Sequence, residues 1–317
     1  MNATEQSEKS HSMASHEPVP PALAGNRLEL TSRDPRFPEA LRTIPHPPKT
    51  LRIVGTEKAL QEGISIVGAR KATPYGRGCA RHFAEIAASV GVTVISGGAL
   101  GCDSEAHWGA LDAGGCTVAF LGGGCDQLYP ARNAKLFQRI VDSGGAVVSE
   151  RDWGEPPMPW MFRERNRLIA GLSKATLVVE AGLPSGTFST ADEALAAGRD
   201  VLAIPGSIVS PTSAGSNRLI SQGAIPIIDD ESFESALSML FGSLRHEDAA
   251  NVHALPDDPL IAALMANPMR PDEIIAEGLH DSAVGLMREL SVHERNGVLS
   301  RFPDGRYGPS QAWLTRR

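Results

Sequence analysis

Ile64-Ser65-Ile66-Val67-Gly68-Ala69-Arg70-Lys71-Ala72-Thr73-Pro74-Tyr75-Gly76 is the stretch that decides the fold. A short apolar run gives way to a glycine, two cations and a hydroxyl, and a helical segment, Gly78–Val90, follows. Apolar runs of this length, bounded by turn residues, read as strands buried on both faces. The same grammar recurs at Val92–Ile95, Thr117–Leu121, Ala146–Val148, Thr176–Val179, Val201–Ile204 and Ala224–Ile228. Helical segments separate several of them: Ser104–Ala113, Lys135–Ser143 and Ala191–Ala197. Strand alternating with helix predicts an α/β fold, a Rossmann-like doubly wound, mostly parallel sheet covered on both sides.

Working outward, this domain spans residues 61–245 and closes with a helix at Glu231–Leu244. Residues 1–25 are polar with scattered prolines and read as a disordered tail. Residues 26–60, with Asp34-Pro35-Arg36-Phe37-Pro38 and Pro45-His46-Pro47-Pro48, read as an N-terminal arm lying on the main domain. The polar, acidic stretch 246–257 reads as a linker. Residues 258–317 change pattern again, with short helices at Leu260–Met265, Pro271–Glu277 and Ser282–Leu290. A hairpin around Asp304-Gly305 completes the layout of a small winged-helix domain. From Arg288 to Arg317 six arginines face three acidic residues, so this end is locally basic.

A length of 317 residues fits about two domains, and 42% hydrophobic residues suffice for packed cores. Thirty Lys and Arg against 37 Asp and Glu leave a net charge of −7, which argues against indiscriminate nucleic-acid binding. Any nucleic-acid site must be a focused patch. No apolar run is long enough for a signal peptide or a membrane span, so a cytoplasmic protein with no membrane partner is expected. The four cysteines, at 79, 102, 116 and 125, lack CxxC spacing and have no histidine pair at ligand spacing nearby. They read as free thiols in a reducing compartment, and neither metal nor cofactor is expected.

Ligands of doubly wound sheets bind beyond the carboxyl ends of the strands. There the first turn offers Gly68, Arg70, Lys71 and Thr73 ahead of a helix, with four basic residues and no acidic one between Ile64 and Arg81. The next turns carry Gly97 and Gly98, then Gly124, then Ser185 and Gly186, and finally Pro205-Gly206-Ser207. Several glycine turns converging on one sheet edge predict a phosphate-binding crevice. The densest cationic cluster is Phe162-Arg163-Glu164-Arg165-Asn166-Arg167. Guanidinium forks match phosphate oxygens, and Phe162 offers a face on which a base could stack. A solvated surface cluster beside a core phenylalanine remains the alternative.

Familiar nucleotide motifs are absent: there is no GxxxxGK[ST], and the first turn lacks GxGxxG. Asp103 and Asp126 could form a carboxylate pair, but glycine-flanked aspartates better fit loop-shaping hydrogen bonds. His107 reads as helix packing, and Trp153 and Trp160, among prolines, as loop anchors. A phosphate site without a base, nucleophile or metal set points to a binder over an enzyme.

Together these loops resemble the DNA-processing protein A (DprA, or Smf) family. The matching residues are Ile66-Val-Gly-Ala-Arg70 with Thr73-Pro-Tyr75-Gly76, Ser96-Gly-Gly-Ala with Gly101 and Asp103, and Leu121-Gly with Gly124, Asp126, Tyr129-Pro130 and Asn133. They continue through Ser149-Glu150, Phe162, Arg165-Asn166-Arg167, Gly171-Leu-Ser173, Val178-Val-Glu180-Ala181, Ser185-Gly186, Thr190-Ala191, Gly198-Arg199, Pro205-Gly206, Leu219-Ile220 and Gly223-Ala224. The resemblance covers about residues 30–228. Departures are Cys102 in place of isoleucine, Leu100 where arginine is frequent, and Arg163 where proline follows the phenylalanine. Leu100 removes a cation from the crevice and Arg163 adds one. The helical N-terminal domain of some relatives is expected to be missing.

The resemblance implies a non-catalytic, homodimeric protein that binds single-stranded DNA and hands it to the RecA recombinase in natural transformation. It implies Arg70 as main phosphate anchor, with Phe162, Arg165 and Arg167 lining the crevice and Asn166 orienting neighbours. Lys71 and Lys174 are weaker candidates chosen by charge alone. The rival reading is a nucleotide hydrolase similar to the lysine-decarboxylase-like phosphoribohydrolases, which carry Gly-Gly-x-Gly-Thr-x-x-Glu. Here Pro184-Ser-Gly-Thr187-Phe-Ser-Thr190 places Thr190 where that glutamate would stand.

Overall fold

The computed structural model describes residues 22–242 and 258–314. In chain order the first unit comprises β1 (Arg27–Thr31), α1 (Glu39–Arg42), β2 (Thr50–Gly55), β3 (Gly63–Val67), α2 (Pro74–Ser89), β4 (Val94–Ser96), α3 (Cys102–Asp112), β5 (Thr117–Phe120), α4 (Ala134–Asp142) and β6 (Ala146–Ser149). It continues with α5 (Pro159–Gly171), β7 (Ser173–Val178), α6 (Thr187–Ala196), β8 (Asp200–Ala203), α7 (Ala214–Ser221), β9 (Ile225–Pro226) and α8 (Asp230–Phe241).

The nine strands form one sheet in the order β1-β2-β6-β5-β4-β3-β7-β8-β9. Pairing is parallel from β6 to β9 and antiparallel only at β1–β2 and β2–β6. Alternate residues of each strand face opposite layers, as the two-residue period of a strand requires. In β3, Ile64 and Ile66 pack with Ala80, Phe83 and Ala84 of α2. In β6, Val148 shares the opposite layer with Leu168 and Ile169 of α5, while Val147 packs on Leu136 and Ile140 of α4. Ser65, polar and fully buried, is satisfied by a 2.7 Å hydrogen bond to Thr176 Oγ1 across the β3–β7 pair.

Three features were not legible beforehand. The segment read as an arm is part of the sheet, because β1 and β2 extend it antiparallel beyond β6. The arginine cluster is helical: α5 spans Pro159–Gly171 and starts on a proline, whose fixed φ suits a first turn. Helix α6 begins at Thr187, four residues before Ala191. Within the tail predicted for residues 1–25, residues 22–25 dock: Leu23 is buried, and Ala22 N–H donates to Asp126 Oδ1 at 3.2 Å. The remainder of that tail and the 246–257 linker lie outside the described residues.

The second unit comprises α9 (Pro259–Ala266), α10 (Pro271–Ala276), α11 (Ala283–Arg295), a hairpin of β10 (Leu299–Arg301) and β11 (Tyr307–Pro309), and α12 (Gln311–Leu314). Leu260, Leu264, Ile274, Leu286, Leu290 and Leu299 form its own core. Gly305 sits in the hairpin turn at φ +88°, a conformation glycine tolerates. Its last helix rests on α2, where the Leu314 side chain lies over Gly78, and reaches α3, where Gln311 Nε2 donates to Glu105 Oε2 at 2.7 Å.

Candidate nucleic-acid interface

The chain runs from β3 through β6 on one side of the sheet, then crosses by α5 to β7 and continues outward on the other. Strand order therefore reverses between β3 and β7, the position at which open α/β sheets bind ligands. A crevice of about 390 Å³ opens there. Its walls are the turn after β3 (Gly68–Arg70), the turn after β4 (Ala99, Asp103), the first turns of α5 (Pro159, Phe162, Arg163) and the start of α6 (Ser185, Gly186, Thr187, Thr190). A smaller recess lined by Gly97, Leu100, Tyr129 and Pro130 adjoins it, sharing Arg70, Phe162 and Arg165.

The turn geometry follows from residue size. Thr73 caps α2 by accepting from Gly76 N–H at 3.1 Å, and its N–H and hydroxyl both donate to the Glu180 carboxylate at 2.8 and 3.0 Å. This ties the end of β7 to the start of α2. Gly68 has no room for a side chain, since a Cβ would lie 2.6 Å from Cys102 Sγ. Gly101 adopts φ +83° and faces the Ala69 carbonyl, so the second turn closes onto the first.

The cations divide by role. Arg70 and Arg163 are exposed on the crevice wall, and the Arg70 guanidinium lies 5.4 Å from the Phe162 ring centroid. Phe162 is stacked obliquely with Tyr129 at 5.3 Å. Arg165 reaches the floor but is buried, donating from Nη1 to the carbonyl of Gly97 at 2.8 Å and to that of Phe120. Burial lowers its pKa to about 10, with Asp103 opposing that shift, and it stays charged at neutral pH. Asp103, also buried, accepts from the N–H groups of Gly97 and Ala99 at 3.2 and 3.4 Å. Burial raises its pKa, and Arg165 is the largest of the opposing influences.

Several sequence-based site residues stand elsewhere. Arg167 is held by Glu150 in a bidentate pair at 2.6 and 3.1 Å and does not line the crevice. Lys174, at the amino end of β7, donates to Leu240 O at 2.9 Å and lies over Phe241, so it serves the opposite sheet edge. Lys71 is exposed outside the lining, and Thr73 is spent on Glu180. Gly98 is structural: a Cβ would strike Phe137 at 2.4 Å, and its carbonyl accepts from Asn133. Gly124 is likewise structural, facing the Asp152 carbonyl at 2.0 Å from a Cβ. Gly68, Arg70, Phe162, Arg163, Arg165, Asn166, Ser185 and Gly186 line the main crevice, and Gly97 the recess. Sequence reasoning overlooked Thr187 and Thr190 as lining residues; the start of α6 was the missing signal.

Asp103 makes the loop-shaping hydrogen bonds expected of it and His107 is a packing residue of its helix, whereas Asp126 is held from outside its loop, by Arg27 and by Ala22 N–H. Asp126 takes Arg27 in a bidentate pair at 2.7 and 2.8 Å, and Arg27 stacks on Trp153 at 3.9 Å. His107 is buried against Thr117 at 2.7 Å. Trp160 differs: it is half exposed on α5 with Arg151 over its ring. The four cysteines are free thiols, and burial raises Cys79 and Cys125 to about 12. No helix among the described residues is long and apolar enough to cross a membrane.

Residues 29–238 match the family described as DNA recombination-mediator protein A. Protein Smf of Escherichia coli is 36% identical over 289 residues, covering 88% of this chain and 76% of that one. The X-ray structure of DNA processing protein A from Streptococcus pneumoniae superposes with a TM-score of 0.61 at 32% identity, over 69% of this chain and 75% of that one. DNA processing protein A from Helicobacter pylori, whose structure concerns its single-stranded DNA binding mode, gives 0.62 at 29% identity, over 68% of this chain and 98% of that one. The chain belongs to the DNA recombination-mediator protein A family, whose members bear the names DprA and Smf.

Proposed function

We propose that this protein binds single-stranded DNA in the crevice between β3 and β7 without catalysing a reaction on it. Acting as a cytoplasmic homodimer, it protects incoming strands and delivers them to the RecA recombinase in natural transformation. The observation that carries the reading is the convergence of Arg70, Arg163, the Phe162 face and the amino end of α6 on one open crevice. Guanidinium groups and a helix amino end suit phosphate, and an aromatic face suits a base of any sequence. The relative from Helicobacter pylori, with its single-stranded DNA binding mode, supports the choice of ligand. The buried carboxylates near the crevice, Asp103 and Glu180, are committed to N–H and hydroxyl groups, and Thr190 stands where a hydrolase of similar loops would carry glutamate. Both facts support a binder over the phosphoribohydrolase alternative.

The C-terminal unit supports a winged-helix reading through its three helices and hairpin. Its helix α11 exposes Val284 and Met287, which favours a protein contact over duplex DNA for that unit.

The test is fluorescence anisotropy with labelled oligo-dT and a matching duplex across a salt series, using wild type and Arg70→Ala. Preference for the single strand is expected. The variant should bind more weakly, with a log–log salt slope reduced by about 0.7 for each phosphate it no longer neutralises. Equal affinity and equal slope for both proteins would refute the assignment of the crevice, and free base released from a nucleoside monophosphate would restore the enzyme reading.

A further inference from the structure

We propose that Asp258, Glu289 and His293 form a binding site for a divalent transition ion of the zinc type in the C-terminal unit, with His280 positioning Glu289. The three ligand atoms lie within 4.8 Å of one another. His293 Nε2 stands 3.7 Å from Asp258 Oδ2 and 3.9 Å from Glu289 Oε1. Ligands held tetrahedrally around zinc at its usual bond lengths stand roughly 3.3–3.5 Å apart, so His293 Nε2 needs to approach each carboxylate by only about half an ångström or less. Glu289 and His293 are one helical turn apart on α11, which holds both on one face.

The surrounding bonds leave the ligand atoms free. Asp258 Oδ1 accepts from the N–H groups of Leu260 and Ile261 at 2.9 and 3.3 Å, which leaves Oδ2 for a cation. His280 Nδ1 accepts from Ser282 N–H at 3.0 Å, so the proton of its neutral ring sits on Nε2. That Nε2 stands 3.3 Å from Glu289 Oε2, while Glu289 Oε1 is the oxygen nearer His293, at 3.9 Å from its Nε2. A histidine ring nitrogen beside a ligating carboxylate can orient it for a metal. One imidazole with two carboxylates suits zinc-type ions, and a water can complete the shell.

The placement gives the ion a structural purpose. Asp258 caps α9, and His293 lies on α11, whose Leu286 and Leu290 share a core with Leu260 and Leu264 of α9. Units below about 70–80 residues rarely hold together on core burial alone, and a metal is one of the additions that compensate. The ion would fasten the start of α9 to α11.

The experiment is competition of the full, chelator-stripped chain with a chromophoric zinc indicator, for wild type, His293→Ala, Glu289→Gln and His280→Ala. Wild type is expected to withdraw one more equivalent of Zn2+ than either His293→Ala or Glu289→Gln, and excess Mg2+ should leave the titration unchanged. His280→Ala should keep the equivalent but bind it about ten- to a hundredfold more weakly. Glu289→Gln preserves shape and keeps the test valid should His293→Ala fail to fold. Equal zinc uptake by wild type and Glu289→Gln, or no uptake by wild type at low micromolar zinc, would overturn the proposal, as would displacement by Mg2+.

Discussion

Replacing Arg165 with alanine tests the division of labour among the arginines. Its side chain is 5% exposed and donates to the carbonyls of Gly97 and Phe120, at the ends of β4 and β5. Truncation leaves two buried acceptors and the Asp103 carboxylate without their shared cation. Each orphaned acceptor costs about 1–3 kcal/mol, and water entering from the adjoining crevice keeps each near the lower end. Adding the lost packing of the arginine stem, the loss of stability comes to about 3 kcal/mol. For a domain of this size each kcal/mol moves the melting midpoint by about 2–4 °C, so a drop of roughly 6–12 °C is expected. Thermal and urea denaturation of the full chain measure it, with Arg70→Ala as the control, because Arg70 is exposed and its removal should leave the midpoint unchanged. An Arg165→Ala protein that melts like wild type yet has lost oligo-dT affinity and salt slope would refute the reasoning and make Arg165 a direct phosphate ligand.

Arg167→Ala should lower stability by about 1–3 kcal/mol through loss of the bidentate Glu150 pair while leaving the salt slope of DNA binding intact, and parallel melting and anisotropy would separate the two effects. Burial depresses His107 to about pKa 3 against an ordinary 6.5, so the unfolded chain binds its proton before the native one and stability falls with acidification across that window. Between pH 7 and pH 5 this group should remove about 2 kcal/mol, a slope that His107→Gln should abolish in urea titrations at both pH values. Gly101→Ala should cost at least about 3 kcal/mol, because φ +83° with ψ −129° suits only glycine and its Cβ would meet the Ala69 carbonyl at 2.2 Å; an unchanged urea midpoint would contradict that turn geometry.

The sheet was legible because strands buried on both faces leave continuous apolar runs, and β3, β5, β6 and β8 appeared within a residue or two of their observed bounds. The antiparallel strands β1 and β2 stayed hidden, since Arg27-Leu-Glu-Leu-Thr31 at the sheet edge and Thr50-Leu-Arg-Ile-Val-Gly55 beside it mix polar with apolar residues and sit among prolines. The arginine cluster misled for a different reason. Its charge density drew attention to alternate positions, whereas the helix buries Met161, Arg165, Leu168 and Ile169, spaced by four, three and one. Arg165 occupies a core position of an apolar stripe and could have been recognised by that period. The bond between Arg167 and Glu150 joins residues 17 apart on different elements, and no local pattern encodes it.

That burial also bears on how an acidic chain could hold a polyanion. The net charge of −7 is spread over the whole molecule, and at physiological salt its influence fades over about 8 Å. A phosphate in the crevice would respond chiefly to what touches it. Buried Arg165 faces Asp103, so these two largely cancel at the floor, and the exposed guanidinium groups of Arg70 and Arg163 remain at the wall. On the proposed reading, two cations per crevice give a shallow salt dependence, so affinity must draw on stacking against Phe162 and on N–H groups at the start of α6. Joining two crevices in a dimer would then multiply a modest single-site affinity by raising the effective concentration at the second crevice, provided the strand spans both. Affinity that rises steeply with oligonucleotide length, beyond what one crevice can hold, is the expected signature. A length dependence that levels off at a single-crevice footprint would mean each subunit binds alone.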